Sequence, residues 1–483
     1  MRRMGRGARR ALAATLALAV VGACGAAAAL FALERAGVMP RALAPYIEQR
    51  SSGHNPLIVG SGRLVADTLL ALDRGAPAGA STLPLERLTL GAQPRAAGPA
   101  PAGEVLVRDV TTLRAAMAAA APGSVITLAP GAYVIEGRSL DANRPGGAGA
   151  PIVVRAAQPG SVRLQSRVVI AVRVGAPYWR FENLAIDGAC RRDDDCEHAF
   201  QVVGAASHFA AVNNTIGGFN AHFKINGAGG RFPDGGLIEA NTLFNPGPRD
   251  TRKPVTPIDL VAASGWTVRA NVIRDFVKLQ GNRVSYGAFA KGGGSGNVFE
   301  RNLVWCEHAL AGLPGQRVGL SLGGGGTGKE FCRDGKCITE QEESVLRANL
   351  IVGCSDAGIY LNSAARSRIE DNTLVDTGGI DVRFATSGAE LDGNLVDGPI
   401  RARDGALLRL GDNRDAGLWR AYVGSHPVRD LFAAPARGDF RWDQAAPAHA
   451  AVAPRARLDL CRASRGGRGA HGAFEDFGAC LRP

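Results

Sequence analysis

A chain of 483 residues with 64 Gly and only 6% aromatic residues suits short strands joined by tight turns better than a helical core. Half of the +12 formal charge is N-terminal: residues 1–50 hold eight Arg against Glu34 and Glu48, which leaves +6 for everything beyond. That remainder forms no Lys/Arg stripe with interleaved aromatics, so nucleic acid is excluded as a partner, whereas an acidic polysaccharide remains compatible.

Arg2, Arg3, Arg6, Arg9 and Arg10 precede a small and apolar run from Ala11 to Leu33, closed by Glu34 and Arg35. Such a run is long enough to span a bilayer, and the Arg cluster would stay on the cytoplasmic side. Residues 1–36 therefore read as a signal anchor, with a cleavable signal peptide as the alternative. Val21-Gly22-Ala23-Cys24 resembles a lipoprotein cleavage box, but the apolar run continues past Cys24. Either reading places the rest of the chain in the periplasm or at the cell surface, tethered to the inner membrane or secreted. Residues 37–103, rich in Ala, Pro and Gly with one apolar patch at Leu64–Leu72, read as a juxtamembrane stalk.

Thr111-Thr112-Leu113 opens an Ala-rich amphipathic stretch with a Thr cap available, and Pro122-Gly123 stops it. A strand and turn follow at Ser124–Tyr133. A motif ending in Asn then recurs at Asn183, Asn214, Asn241, Asn271, Asn302, Asn349, Asn372 and Asn394. An apolar residue precedes each Asn by two or three positions, and an aliphatic pair or a Thr-aliphatic pair follows nearly every one. Successive asparagines are 31, 27, 30, 31, 47, 23 and 22 residues apart. The minimum corresponds to one coil of a solenoid, and any excess measures loops thrown out of that coil. Asn tolerates the left-handed conformation that a corner between strands demands, and stacked asparagines can bond to one another as a ladder. The expectation is an all-β fold, a right-handed parallel β-helix over 104–415, with the helix capping its open first coil. After Asn413 the pattern fades, and 416–483 reads as a C-terminal cap or tail on a monomer.

Eight cysteines lie beyond Cys24, an even number that suggests disulfides in an exported chain. Cys190 and Cys196 bracket an acidic loop, Cys332 and Cys337 bracket Arg-Asp-Gly-Lys, and Cys461 and Cys480 close the tail. Cys306 and Cys354 remain, four and five residues after two successive repeat asparagines, where they would stack. No CxxC pair exists and no His sits at ligand spacing beside them, so no metal site is expected.

The swollen coils lie between Asn183 and Asn349, which locates the functional face, since solenoid loops on one side build the binding groove. Leu113–Tyr133 and Gly149-Ala-Pro-Ile-Val-Val-Arg155 resemble the opening of the family 6 polysaccharide lyases, the alginate lyases and chondroitinase B. The resemblance implies a Lys as Brønsted base for the C5 proton of a uronate, with an Arg assisting at the same ring. Ala290-Lys291-Gly292 and Arg317-Val318-Gly319, 26 residues apart, occupy similar places. A Lys becomes a base near neutral pH when burial and a neighbouring cation lower its pKa, and two cations would stabilise the enolate-like charge. One departure concerns calcium, the only cofactor the resemblance implies. Its two acidic ligands are missing from Arg283–Ala290, and Arg-Val-Gly replaces the family's Arg-His-Gly.

Glu307-His308 is an acid/base pair lying between Lys291 and Arg317 in sequence, and Asp356, Tyr360 and Asn362 on the following coil extend the groove. Asp193-Asp194-Asp195 offers carboxylates for calcium or glycoside hydrolysis, but its flanking cysteines mark it as a disulfide loop. Gly323–Lys329 nearly matches a phosphate-binding loop, yet Glu330 stands where Ser or Thr is required, so no nucleotide is expected. These features give a carbohydrate-active exported β-helix, read as a lyase on a uronate-containing glycan. The alternatives are a C5-epimerase, or a non-catalytic protein that binds or organises envelope polysaccharide; a hydrolase is a weaker third.

Overall fold

A computed structural model describes residues 6–36, 39–72, 85–98, 103–324, 327–420, 425–450, 457–465 and 468–482. They fall into two compact units, residues 1–75 with 417–425 and residues 76–416 with 426–483.

The first unit holds helices Arg6–Ala36, Pro40–Ser51 and Pro56–Leu72. The stretch read as a stalk is thus partly helical. Any side chain at Gly62 would collide with Ser51, so the second and third helices meet at bare backbone. Leu16, Leu18, Val20, Val21 and Phe31 of the first helix are exposed. Among the described residues, no helix is long and apolar enough to cross a membrane.

The second unit is built from three parallel sheets of twelve, eleven and ten strands, which the chain visits in rotation. Each strand pairs in register with its counterparts one coil before and one coil after. Such a rotation of parallel strands is a β-helix, and the near-universal hand of parallel crossovers is right-handed. Helix Val110–Ala119 precedes the first full coil and buries Leu113 and Met117. Its cap is Asp109, which accepts from the Thr112 N–H at 2.8 Å while the Thr112 hydroxyl accepts from the Asp109 N–H. The carboxylate one turn earlier wins the capping role from the threonines.

Alternation in the first sheet turns one residue per strand inward. Ile126, Val154, Phe181, Ala211, Ile238, Val268, Phe299, Leu346, Ile369 and Leu391 stack in register and are fully buried. Each aliphatic or aromatic in this column contributes about 1.5–3 kcal/mol of transfer free energy. The corner from first to second sheet is two residues long in every coil from Asn183 to Asn394. There Asn214, Asn241, Asn271, Asn302, Asn349, Asn372, Asn394 and Asn413 form a continuous ladder. Each side-chain amide donates to the next Asn Oδ1 at 2.8–3.1 Å.

Two details differ from the sequence reading. The left-handed residue is the one before the ladder Asn, as at Ala240 (φ 55°), Ala270 (φ 56°) and Ala348 (φ 51°). The Asn itself is chosen for its hydrogen bonds. Asn183 has φ 62° and pairs with Asn213, so it occupies the left-handed position, one residue out of step with the ladder.

Residues 426–450, 457–465 and 468–482 lie over the outer face of the second sheet. Phe432, Phe440, Phe474 and Phe477 pack on Leu303, Leu350 and Leu395. Leu407 and Leu410 of the final first-sheet strand stay exposed. All four expected disulfides are present: Cys190–Cys196, Cys306–Cys354, Cys332–Cys337 and Cys461–Cys480.

Candidate functional site

With the second sheet covered, the third sheet is the face bordered by the long loops. Between its strands and those of the second sheet lie insertions of up to thirteen residues, 245–257. On the opposite edge the longest connection is the twenty-two residues 323–344. The outer side chains of the third sheet therefore lie on the floor of a trough with loop walls on both sides.

Alternation fixes which residues form that floor. One outward column runs Lys224, Asp259, Phe289, Ser321, Tyr360, Asp381, Arg401 in register. A second, two residues further along the strands, holds Lys291 beside Val261, then Asn362, Arg383 and Arg403. Rungs of a parallel sheet are about 4.8 Å apart, so this floor extends over several sugar-sized steps. Most of its charges are paired: Lys224 with Asp259 at 2.7 Å, and Asp381 with Arg401 and Arg403 at 3.2 and 2.5 Å.

Lys291 is the exception. It ends strand Val284–Lys291, half-buried, with its ammonium 4.6 Å from the centre of the Phe289 ring. Among the described residues it forms no ion pair. Lys291 Nζ and Glu340 Oε2 lie 3.7 and 3.8 Å from the point a Gly324 side chain would occupy, so the bare glycine opens the space between them. Glu340 is itself buried and accepts from the Thr327 hydroxyl at 2.8 Å.

Tyr360 and Asn362 share this floor, and Asn362 Nδ2 donates to Tyr360 Oη at 3.3 Å. Asn362 is 8% exposed, and its Oδ1 has no hydrogen-bond partner among the described residues. A buried carbonyl oxygen left in that state calls for a donor from outside the protein. Asp356 lies at the entry to the same strand, within 3.5 Å of Gln316 Nε2. Burial raises its carboxyl above the ordinary range, and Asp381 adds to the effect. Burial likewise pushes Tyr286 up to about 12, with Asp356 and Tyr360 contributing.

Arg317 is not part of this site. It pairs with Ser285, six residues before Lys291 on the adjacent strand, which separates the two by about 20 Å along the strand direction. The residue is fully buried, ion-paired with Glu307 at 2.9 Å and donating to the carbonyls of Pro314 and Leu313. Counting residues placed it one coil from Lys291. The ten-residue insertion 306–315 enters before its strand, however, and moves it to the strand's beginning.

Glu307 and His308 follow Arg317 away from the trough. They line a small cleft of about 20 Å³ over the second sheet, together with Trp305, Asp376 and Arg429. Asp275 holds this turn by accepting the N–H groups of His308, Ala309 and Leu310 at 2.7–3.0 Å. Burial lowers the His308 pKa, and neither ring nitrogen has a hydrogen-bond partner among the described residues.

The acidic loop Asp193–Asp195 is a docking element. Asp193 takes Arg249 at 2.8 Å, Asp194 accepts from the Thr251 hydroxyl, and Asp195 takes Arg192 at 2.8 Å. No carboxylate stands on Val284–Lys291, and the outward Asp259 and Asp381 are both held by cations. The sequence reading missed Phe289, Asp381, Arg383 and Arg403. Their signal was present in the apolar–charged alternation of Ile380-Asp-Val-Arg383, which marks alternate residues as outward.

No family model and no curated protein matches the chain. Among solved structures it is similar to a pectate lyase, Pel9A, at 16% identity over 77% of this chain and 98% of that one, TM-score 0.45. An alginate lyase from Paenibacillus sp. str. FPU-7 matches at 16% identity over 64% and 99%, TM-score 0.39. A family 6 polysaccharide lyase from Pseudopedobacter saltans, Pedsa3628, matches at 12% over 68% and 95%, TM-score 0.36.

Proposed function

We propose that the trough on the third sheet takes an acidic, uronate-containing polysaccharide and cleaves it by β-elimination, with Lys291 as the Brønsted base. The observation that carries this reading is Lys291 itself, an ammonium without an ion pair among the described residues, set on the floor of a loop-walled trough. In the elimination the reacting form of Lys291 is the neutral amine, whose lone pair takes the C5 proton to give the ammonium as the C4–O bond breaks. The C5–H electron pair forms the C4=C5 double bond of an unsaturated uronate, and the departing oxygen takes a proton. Tyr360 and Asn362 lie toward the neighbouring sugar, where the unpartnered Asn362 Oδ1 would accept from a hydroxyl. The same abstraction without bond cleavage would give C5 epimerisation.

One observation favours a second reading, non-catalytic binding. With Arg317 buried against Glu307, Lys291 lacks the neighbouring cation that the elimination chemistry uses. Both readings place the protein outside the cytoplasm. Four disulfides support an oxidising compartment, and the exposed Leu16, Leu18, Val20 and Val21 support membrane attachment through helix Arg6–Ala36.

The test incubates the purified full-length protein with alginate, pectate and glycosaminoglycans and follows unsaturated-uronate absorbance. A loss of about 100-fold or more is expected for Lys291→Ala. Turnover that survives in Lys291→Ala overturns the mechanism. Retained binding without depolymerisation or epimerisation on any uronate establishes the binder.

A further inference from the structure

We propose that Asp412, His449 and His471 bind one divalent transition-metal ion of the Zn²⁺ class, and that this ion pins the C-terminal segment to the last coils of the solenoid. The site lies away from the trough and is independent of the polysaccharide reading.

The three ligands, with Asp392 beside them, come from two parts of the chain. Asp392 ends strand Gly388–Asp392, and Asp412 lies one coil later, just before the last ladder asparagine. His449 lies in the centre of strand Ala448–Ala450 and is paired with Gly469 of the antiparallel strand Arg468–Ala470; His471 follows directly. One ligand atom each from Asp412, His449 and His471 lies within 4.8 Å of the other two. His471 Nε2 is 3.2 Å from Asp412 Oδ1, and His449 Nε2 is 3.4 Å from Asp392 Oδ1. Tetrahedral coordination at 2.0–2.1 Å separates ligand atoms by about 3.3 Å, so the His471–Asp412 pair already stands at tetrahedral spacing.

The imidazoles are prepared as ligands. His449 and His471 are 5% and 0% exposed, and neither Nε2 has a hydrogen-bond partner among the described residues. His471 Nδ1 is 3.1 Å from the Pro447 carbonyl, an acceptor that fixes the proton on Nδ1 and leaves the Nε2 lone pair free. Asp392 Oδ1 is steadied by the Asp412 N–H at 2.9 Å. His449 packs on bare backbone at Gly393, where an added side chain would collide with Asp371.

Simple His–Asp ion pairs are the competing account of the cluster. They require two imidazolium rings with centroids 4.9 Å apart, each aiming Nε2 at a carboxylate without forming a hydrogen bond. A single dication satisfies both Nε2 lone pairs and the Asp412 carboxylate at once, with a water free to complete the tetrahedron. Two His nitrogens with carboxylate oxygens suit Zn²⁺ and its neighbours better than calcium.

The experiment loads the full-length protein with Zn²⁺ or Co²⁺, removes free metal by dialysis, and measures metal content, the visible spectrum of the Co²⁺ form and the melting temperature. One metal per chain is expected, with Co²⁺ bands of tetrahedral intensity and a melting temperature that rises with Zn²⁺. His449→Gln/His471→Gln should lose all three. Asp412→Asn, at an exposed position that folding tolerates, should weaken binding at least tenfold. A wild-type chain without stoichiometric metal overturns the proposal and leaves ion pairs alone. Binding undiminished in Asp412→Asn and in the double variant overturns it equally, by placing the metal elsewhere.

Discussion

Two parts of each coil behave in opposite ways. The corner between first and second sheets is two residues long from Asn183 to Asn394, whereas the turns on either side of the third sheet range from three residues to twenty-two. From Asn214 to Asn413 each coil bonds to its neighbours through the same Asn, so length and composition at the corner are held constant by the fold. At the edges of the third sheet nothing in the stacking sets the length, and the chain is free to build walls. Uniformity therefore marks what holds the solenoid together, and irregularity marks where it meets a ligand.

The sharpest way to break the comparison is to cut the ladder in its middle. Asn302 is fully buried and donates to Asn349 Oδ1 at 3.0 Å and to the Val268 carbonyl at 2.9 Å. It also accepts the side-chain and backbone N–H groups of Asn271. Asn302→Ala would leave several buried polar groups unsatisfied, at about 1–3 kcal/mol each, so a loss of about 4 kcal/mol is expected from denaturant unfolding. Asn413→Ala at the half-exposed end of the ladder should cost about 1 kcal/mol. Equal losses at the two positions would show that the ladder is not a continuous structural unit.

The same contrast explains what was legible in the sequence. The ladder could be read because successive coils repeat it, and the disulfides because two of the four pairs bracket short loops and a third closes the tail. Asn183 was aligned one residue out of step because Asn213, its true counterpart, is also an asparagine. Arg317 was misplaced because a residue count cannot tell on which side of a strand an insertion enters. The His449–His471 cluster left no motif, since its ligands are spread from Asp412 to His471 and converge only when the tail folds back.

Arg317 tests the division next. Its burial and its pairing with Glu307 at the start of a third-sheet strand place it with the scaffold rather than with the trough, despite its sequence position. Arg317→Ala leaves Glu307 without its guanidinium, and a loss of about 3 kcal/mol is expected for removing one partner of a buried pair. Any fall in activity should follow the fraction unfolded. A fully folded Arg317→Ala protein with abolished turnover would return Arg317 to the site.

His222, fully buried on a third-sheet strand, gives the pH dependence. Burial pushes its pKa down to about 3; the Phe244 carbonyl partly opposes this, and Arg249 reinforces it. The imidazole is therefore neutral in the folded chain but takes a proton near pH 6.5 when unfolded. Below pH 6.5 the unfolded state binds more protons, so this residue's contribution to stability is lost as pH falls and levels off near pH 3. The slope approaches about 1.4 kcal/mol per pH unit at its steepest. In His222→Gln that increment should vanish, which the difference between the two stability–pH curves isolates from every other titrating group. Parallel curves would show that His222 titrates alike in the folded and unfolded chains.

Gly324 provides the finest test, because it separates the trough from the scaffold by a single methyl group. A Cβ there would lie 2.8 Å from Lys291 Cδ, the flexible part of that side chain, and would fill the space bordered by Lys291 Nζ and Glu340 Oε2. The glycine lies outside the ladder and outside the stacked core, so Gly324→Ala should change stability by less than about 0.5 kcal/mol. If Lys291 works in the trough, the added methyl displaces the ammonium and lowers kcat/KM, or binding affinity in the non-catalytic case, by several-fold. A variant that melts with the wild type and handles uronate glycans equally well would move the site off this stretch of the third sheet. One that loses stability and function together would show that wall and scaffold are not separable at Gly324.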